Sequence, residues 1–92
     1  ASDGRIFVAD TQNNRVQVFD RQFNYIATVG KGKLLMPTML ALDSRGRILV
    51  ADTGNNRLAV FNSDYSFAGE IKGVSFTEFD KPEFKPRNIA IA

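Results

Sequence analysis

Apolar runs alternate with polar turn sequences along the chain, and the whole pattern returns after 42 residues (46 − 4). Residues 4–19 read Gly-Arg-Ile-Phe-Val-Ala-Asp-Thr-Gln-Asn-Asn-Arg-Val-Gln-Val-Phe, and residues 46–61 repeat most of these positions. Each copy has two apolar runs separated by a segment dense in Asp and Asn, which favour turns because they hydrogen-bond their own backbone. The pattern predicts strands, since no helical period is present.

Each repeat contains three successive strand-like segments. The first segment, Arg5–Asp10 or Arg47–Asp52, is almost continuously apolar, which is typical of a strand buried on both faces. The second is Arg15–Phe19 or Arg57–Phe61, and the third is more polar, as expected for an edge strand. The third segments are Tyr25–Val29 and Phe67–Ile71.

A fourth type of segment decides how the repeats are ordered. Pro37–Leu42 precedes the second repeat, and Pro86–Ile91 matches it but precedes nothing within the sequence. With strands named a to d, the order is b-c-d, a-b-c-d, a. The first repeat therefore lacks strand a, and the C-terminal residues supply a spare one.

Four short antiparallel strands per repeat predict an all-β protein built of β-propeller blades. The doubled Ala-Asp-Thr-x-Asn-Asn-Arg block, with a Pro-x-x-[Ile/Leu]-Ala strand beside it, resembles the NHL repeat family. The resemblance covers the chain except residues 74–85 and implies a six-bladed propeller. The longer loop before Pro86, and Arg87-Asn88 in place of a small residue, depart from the family pattern.

These boundaries predict strands b-c-d of a first blade in residues 1–36 and a second blade in 37–73. A long d–a loop then spans 74–85, and residues 86–92 form an a-strand. Two blades do not close a ring, so we expect this strand to complete a blade of a neighbouring chain, giving a homotrimer by strand exchange. An alternative is that the sequence is a fragment of a longer propeller. The residues predicted to make the closure are Ile6, Val8, Ile89 and Ile91.

Composition narrows the chemistry. The chain has no Cys and no His, which removes Cys–His and Ser–His–Asp catalysis and ordinary zinc sites. We therefore predict no enzymatic activity, no catalytic or metal-binding residues and no cofactor. No signal peptide or membrane-spanning run is seen, and the compartment stays unknown.

The repeated turn block invites a calcium or acid–base interpretation, because carboxylates stand beside amides. A structural role is favoured, since every blade needs the same turn whereas a catalytic site is needed once. The residues predicted to build the turns are Asp10, Asn13, Asn14, Arg15, Asp52, Asn55, Asn56 and Arg57.

Binding residues are expected where the repeat breaks, in the loops that precede the a-strands. Phenylalanines in the long loop suit a peptide or protein partner, or cap the blade edge. Basic residues on the same side suggest an RNA-binding alternative, although the net charge of +2 is small. The candidate surface comprises Lys31, Lys33, Phe76, Phe79, Lys81, Phe84, Lys85, Arg87 and Asn88.

The remaining aromatics are predicted to pack between blades: Phe7, Phe19, Phe23 and Phe61. The sequence as a whole favours a non-enzymatic interaction or scaffold module whose main partner is a copy of itself. Whether it is a natural fragment or an engineered repeat stays open.

Overall fold

The computed structural model of the protein describes residues 3–72 and 89–91, the last three by their backbone alone. The described residues form two four-stranded antiparallel sheets, with strand orders β3-β2-β1-β8 and β4-β5-β6-β7. The strands are β1 Ile6–Asp10, β2 Arg15–Phe19, β3 Tyr25–Val29, β4 Pro37–Leu42, β5 Ile48–Asp52, β6 Arg57–Phe61, β7 Phe67–Lys72 and β8 Ile89–Ile91. The prediction of an all-β chain is confirmed.

The 42-residue repeat is reproduced in the strand pairing. Asp10 pairs with Arg15 across the β1–β2 hairpin, and Asp52 pairs with Arg57 across β5–β6. A register shift follows Val18 in the first sheet, with its counterpart in the second. Local sequence therefore fixes the register, because each hairpin is closed by the same turn block.

The C-terminal strand is the main correction to the sequence analysis. Strand β8 pairs with β1 of the same chain, with Ile91 opposite Ile6 and Ile89 opposite Val8. This matches the second sheet, where β4 meets β5 in the equivalent register. The expectation that two blades are unable to bring these strands together is wrong, because two sheets stacked face to face place β8 against β4 without a ring.

The core lies between the two sheets. Phe7 and Phe61 are fully buried there, in agreement with the aromatic prediction, and Phe19 is half-buried. Phe23 is 76% exposed, so its assignment to the core of the chain is wrong. It lies in the β2–β3 turn, at the outer end of the first sheet, with a positive φ of 68°.

The two sheets differ in how many of their faces are covered. Every residue of β5 is buried, as the sequence predicted, and a second small cluster lies on the side of this sheet away from the first. Strand β1 instead alternates between buried and half-buried residues. The outer face of the first sheet is therefore the more open one.

No helix of a length and apolarity that would let it cross a bilayer occurs in the described part of the chain.

Candidate interaction surfaces and the repeated turn

The second copy of the turn block is organised around a buried carboxylate. Oδ2 of Asp52 accepts hydrogen bonds from Nε of Arg57 at 2.7 Å and Nδ2 of Asn55 at 2.9 Å. Its Oδ1 accepts the backbone N–H of Leu35 at 2.7 Å, from the connection between β3 and β4. The Asp52 side chain is 0% exposed, and these donors take the place of the water it loses.

The first copy makes the same bonds within its own turn but lies nearer the surface. Oδ2 of Asp10 accepts from Nε of Arg15 at 3.0 Å and from Nδ2 of Asn13 at 3.1 Å. The hydrogen bond from Arg15, followed by that from Asn13, holds the pKa of Asp10 below its ordinary value of 3.8. The side chain of Asp10 is 25% exposed, so the two carboxylates differ in burial.

The turns also hold the β3–β4 connection from both sides. From the first blade, Thr11 Oγ1 donates to the carbonyl of Pro37 at 2.7 Å, and Asn14 Oδ1 accepts the N–H of Met36 at 2.8 Å. From the second blade, the N–H of Gly54 donates to the carbonyl of Leu35 at 2.7 Å. The block is therefore a clasp between consecutive blades as well as a hairpin turn.

Sequence reasoning assigned the block only to its own hairpin and missed this second role. The available signal was the third position, where Gly54 replaces Gln12 of the first repeat. A Cβ atom at residue 54 would lie 2.5 Å from the carbonyl oxygen of Leu35, so the close approach requires glycine.

The predicted basic surface is only partly described. Lys33 lines a shallow hollow of about 450 Å³ together with Arg57, Glu70 and Lys72, while Lys31 is exposed on the same connection. Arg57 is bound to Asp52, Glu70 and the carbonyl of Lys33, so much of its hydrogen-bonding capacity is already used. The hollow is therefore polar, but the carboxylates of Glu70 and Asp52 offset the positive charge of Arg57.

Seven of the predicted binding residues lie outside the described residues. They are Phe76, Phe79, Lys81, Phe84, Lys85, Arg87 and Asn88. Within residues 3–72 and 89–91, no three acidic, His or Cys side chains come together in a group suited to a metal ion.

At the outer edge of the interface between the sheets, an arginine contacts two aromatic rings. The guanidinium of Arg5, which precedes β1, lies between two rings, 5.1 Å from the centroid of Phe7 and 5.6 Å from that of Tyr65. Its Nη1 also donates to the hydroxyl of Tyr65 at 2.8 Å. Tyr65 belongs to the β6–β7 turn and packs against the core.

A second hollow, of about 330 Å³, lies on the far face of the second sheet, the side turned away from the first sheet. Arg47, Leu49, Val60 and Ile71 are among its lining residues. Ile71 lies on the edge strand β7 opposite the buried Leu58 and is 53% exposed.

Comparison with known proteins agrees with the architecture. The family model of the NHL repeat matches residues 1–19 and 34–61. These two ranges contain both copies of the turn block and the strands on either side of it. No curated protein matches the chain. Since the matched residues make up just over half of the sequence, the protein belongs to the NHL repeat family.

Proposed function

We propose that the protein is a non-enzymatic scaffold module that assembles with copies of itself into a closed propeller. A repeat protein of this family presents stacked β-sheets, which bind other molecules through faces and loops. The candidate partner with the best structural support is a second copy of the chain.

One observation carries the proposal: each outer face of the two-blade unit has the repeat counterparts of residues that the chain already buries between its two sheets. The first sheet presents Phe7, Val16 and Val18 to the second sheet, all 0% exposed. Their counterparts 42 residues later are Leu49, Leu58 and Val60, which share the far face of the second sheet.

The complementary face follows the same rule. The second sheet presents Ile48, Val50, Ala59 and Phe61 to the first sheet. Their counterparts 42 residues earlier are half-buried on the outer face of the first sheet, and they are apolar apart from Gln17. This row consists of Ile6, Val8, Gln17 and Phe19.

Two different faces that fit each other give a head-to-tail contact, which closes into a ring when its rotation divides the circle. Six blades, as the family resemblance implies, require three chains. Exchange of β8 between chains is not needed on this proposal, because β8 already completes the first sheet within its own chain. The chains contact each other by packing the outer face of one sheet against the outer face of a sheet in the next chain.

The test is the molar mass in solution, measured by light scattering over a range of concentrations. Three chains correspond to three times 10.2 kDa. A protein that stays at the mass of one chain up to millimolar concentration contradicts the proposal. A stable dimer or tetramer supports self-assembly but contradicts a six-bladed ring.

A further inference from the structure

We infer that Phe23 is the anchor of the contact between chains, and that it inserts into the hollow beside Arg47 on the second sheet of another copy. The inference rests on the proposed self-assembly and assigns it a specific pair of sites. It starts from an exposed residue that the fold of one chain does not explain.

Phe23 is the most exposed large apolar residue described, at 76%, and it has a positive φ of 68°. Both features are unfavourable, because an aromatic ring faces water and a non-glycine residue adopts a left-handed backbone. Its counterpart 42 residues later is Tyr65, which has a φ of 77°. Tyr65 is packed against the core of the chain.

Within the chain, the residue at this turn position of the second blade, Tyr65, contacts the neighbouring blade. It extends from the β6–β7 turn of one blade to the other blade, where Arg5 lies between its ring and that of Phe7. The two blades are thus joined at their outer edge by an aromatic ring and a guanidinium.

The counterparts of that receiving site are present on the far face of the second sheet. Arg5 corresponds to Arg47 and Phe7 to Leu49, and Val18, which pairs with Phe7 in the first sheet, corresponds to Val60. All three counterparts line the hollow of about 330 Å³, together with Ile71 and the polar loop residues Asp43, Ser44 and Arg45. A hollow with an apolar side and an arginine that is paired with Asp43 therefore lies where repetition of the internal contact would place the ring of a second chain.

The correspondence holds for the sheet faces and not for every connection. A Cβ at residue 54 would lie 2.5 Å from the carbonyl oxygen of Leu35, and the equivalent position of the first blade is Gln12, so the two repeats differ at this turn. The Phe23 contact does not depend on this position, because it lies on the β2–β3 turn at the outer end of the blade.

Two variants block the opposite sides of the contact. Phe23→Asn removes the ring and leaves a residue that tolerates a positive φ, so folding of the single chain is expected to be preserved. Ile71→Lys places a charge in the rim of the hollow at a position that is solvent-exposed in the single chain. Ala68→Lys is the matched control, since it adds the same charge to the same strand outside the row of Leu58, Val60 and Ile71.

We expect both variants to weaken assembly by about 30-fold or more, as loss of a central aromatic anchor does, and the control to assemble like the natural sequence. Mixing then separates a head-to-tail contact from other modes. Isotope-labelled Ile71→Lys protein has an intact Phe23, and unlabelled Phe23→Asn protein has an intact hollow. Their mixture should shift the NMR signals of residues 19–25 in the labelled chain, whereas either variant alone should show no such concentration dependence.

The outcomes distinguish this inference from the proposal beneath it. If the natural sequence assembles and both variants assemble equally well, the Phe23 contact is wrong and self-assembly stands. If each variant is monomeric but the mixture gives no shifts, the head-to-tail pairing is wrong. If the natural sequence itself stays monomeric, both are wrong.

Discussion

The backbone nitrogen of Leu35 lies 2.7 Å from Oδ1 of Asp52, so a carboxylate in the turn of the second blade binds the segment that arrives from the first. The same carboxylate accepts a hydrogen bond through Oδ2 from Nε of Arg57 at 2.7 Å, and it has no exposed surface. One side chain thus joins a hairpin, a connection and the interface of two blades.

Replacing Asp52 with alanine should be strongly destabilising. It leaves Arg57 and the N–H of Leu35 without their acceptor, and removing one partner of a buried ion pair costs about 3–5 kcal/mol. Urea unfolding at one fixed protein concentration measures the effect. Asp10→Ala is the matched control, and a much smaller loss is expected because its carboxylate lies near the surface. Equal losses in the two variants would contradict the role given to burial and to Leu35.

The hydrogen bonds that hold the β3–β4 connection predict that two equivalent asparagines contribute differently to stability. Asn14 and Asn56 both have left-handed backbones, with φ values of 56° and 51°. Asn14 also accepts the N–H of Met36, and no hydrogen bond from the Asn56 side chain is seen among the described residues. Asn14→Gly should lower the free energy of unfolding by about 1 kcal/mol, since glycine keeps the backbone but loses the acceptor.

Asn56→Gly is the control for this pair. It should change the free energy of unfolding by only about a few tenths of a kcal/mol, as is typical of a substitution at an exposed site. Thermal unfolding of both variants provides the comparison. If Asn56→Gly is the more harmful change, the hydrogen bond to Met36 does not have the stabilising role described.

Gly54 should not tolerate a side chain. A Cβ there would lie 2.5 Å from the backbone oxygen and Cγ of Leu35, so Gly54→Ala must displace the connection, and overpacking of this kind costs about 1–3 kcal/mol. Gly69→Ala is a control in an open position, where nothing lies within 4 Å of the added atom. Chemical unfolding should show a loss for the first variant and little change or a gain for the second. A neutral Gly54→Ala would show that the connection moves freely.

Stability should fall at acid pH. Burial alone would raise the pKa of Asp43, but the hydrogen bonds from Arg47 and Arg45 bring it below 3.8. The pKa of Asp20 is also lowered, chiefly by the backbone N–H of Asn24. A carboxyl group with a depressed folded pKa stabilises the fold above its unfolded pKa, and this contribution is lost as the pH falls through the folded value.

The expected profile is therefore nearly flat between pH 5 and neutrality and declines below about pH 4. Urea midpoints at successive pH values measure it. Asp43→Asn keeps an acceptor for the two backbone N–H groups but does not titrate, so its profile should decline less steeply than that of the natural sequence. An unchanged slope would exclude Asp43 as a contributor.

The sequence alone determined the repeating unit: the strands, their hairpin register and the left-handed asparagines of the turns. These features are set within one 42-residue window, by apolar runs that form strands and by Asx residues that close the hairpin between them. That is why Asp10 meets Arg15 in the same way as Asp52 meets Arg57.

Only the tertiary structure decided what depends on segments far apart in the chain. The return of β8 to β1, the burial of Asp52 but not of Asp10, and the exposure of Phe23 against the packing of Tyr65 all have this origin. Two nearly identical repeats differ in these respects because the turns of the second sheet lie against the first blade and its connection, while the outer face of the first sheet has no neighbouring blade among the described residues. Burial follows from neighbours, and a local pattern does not contain them.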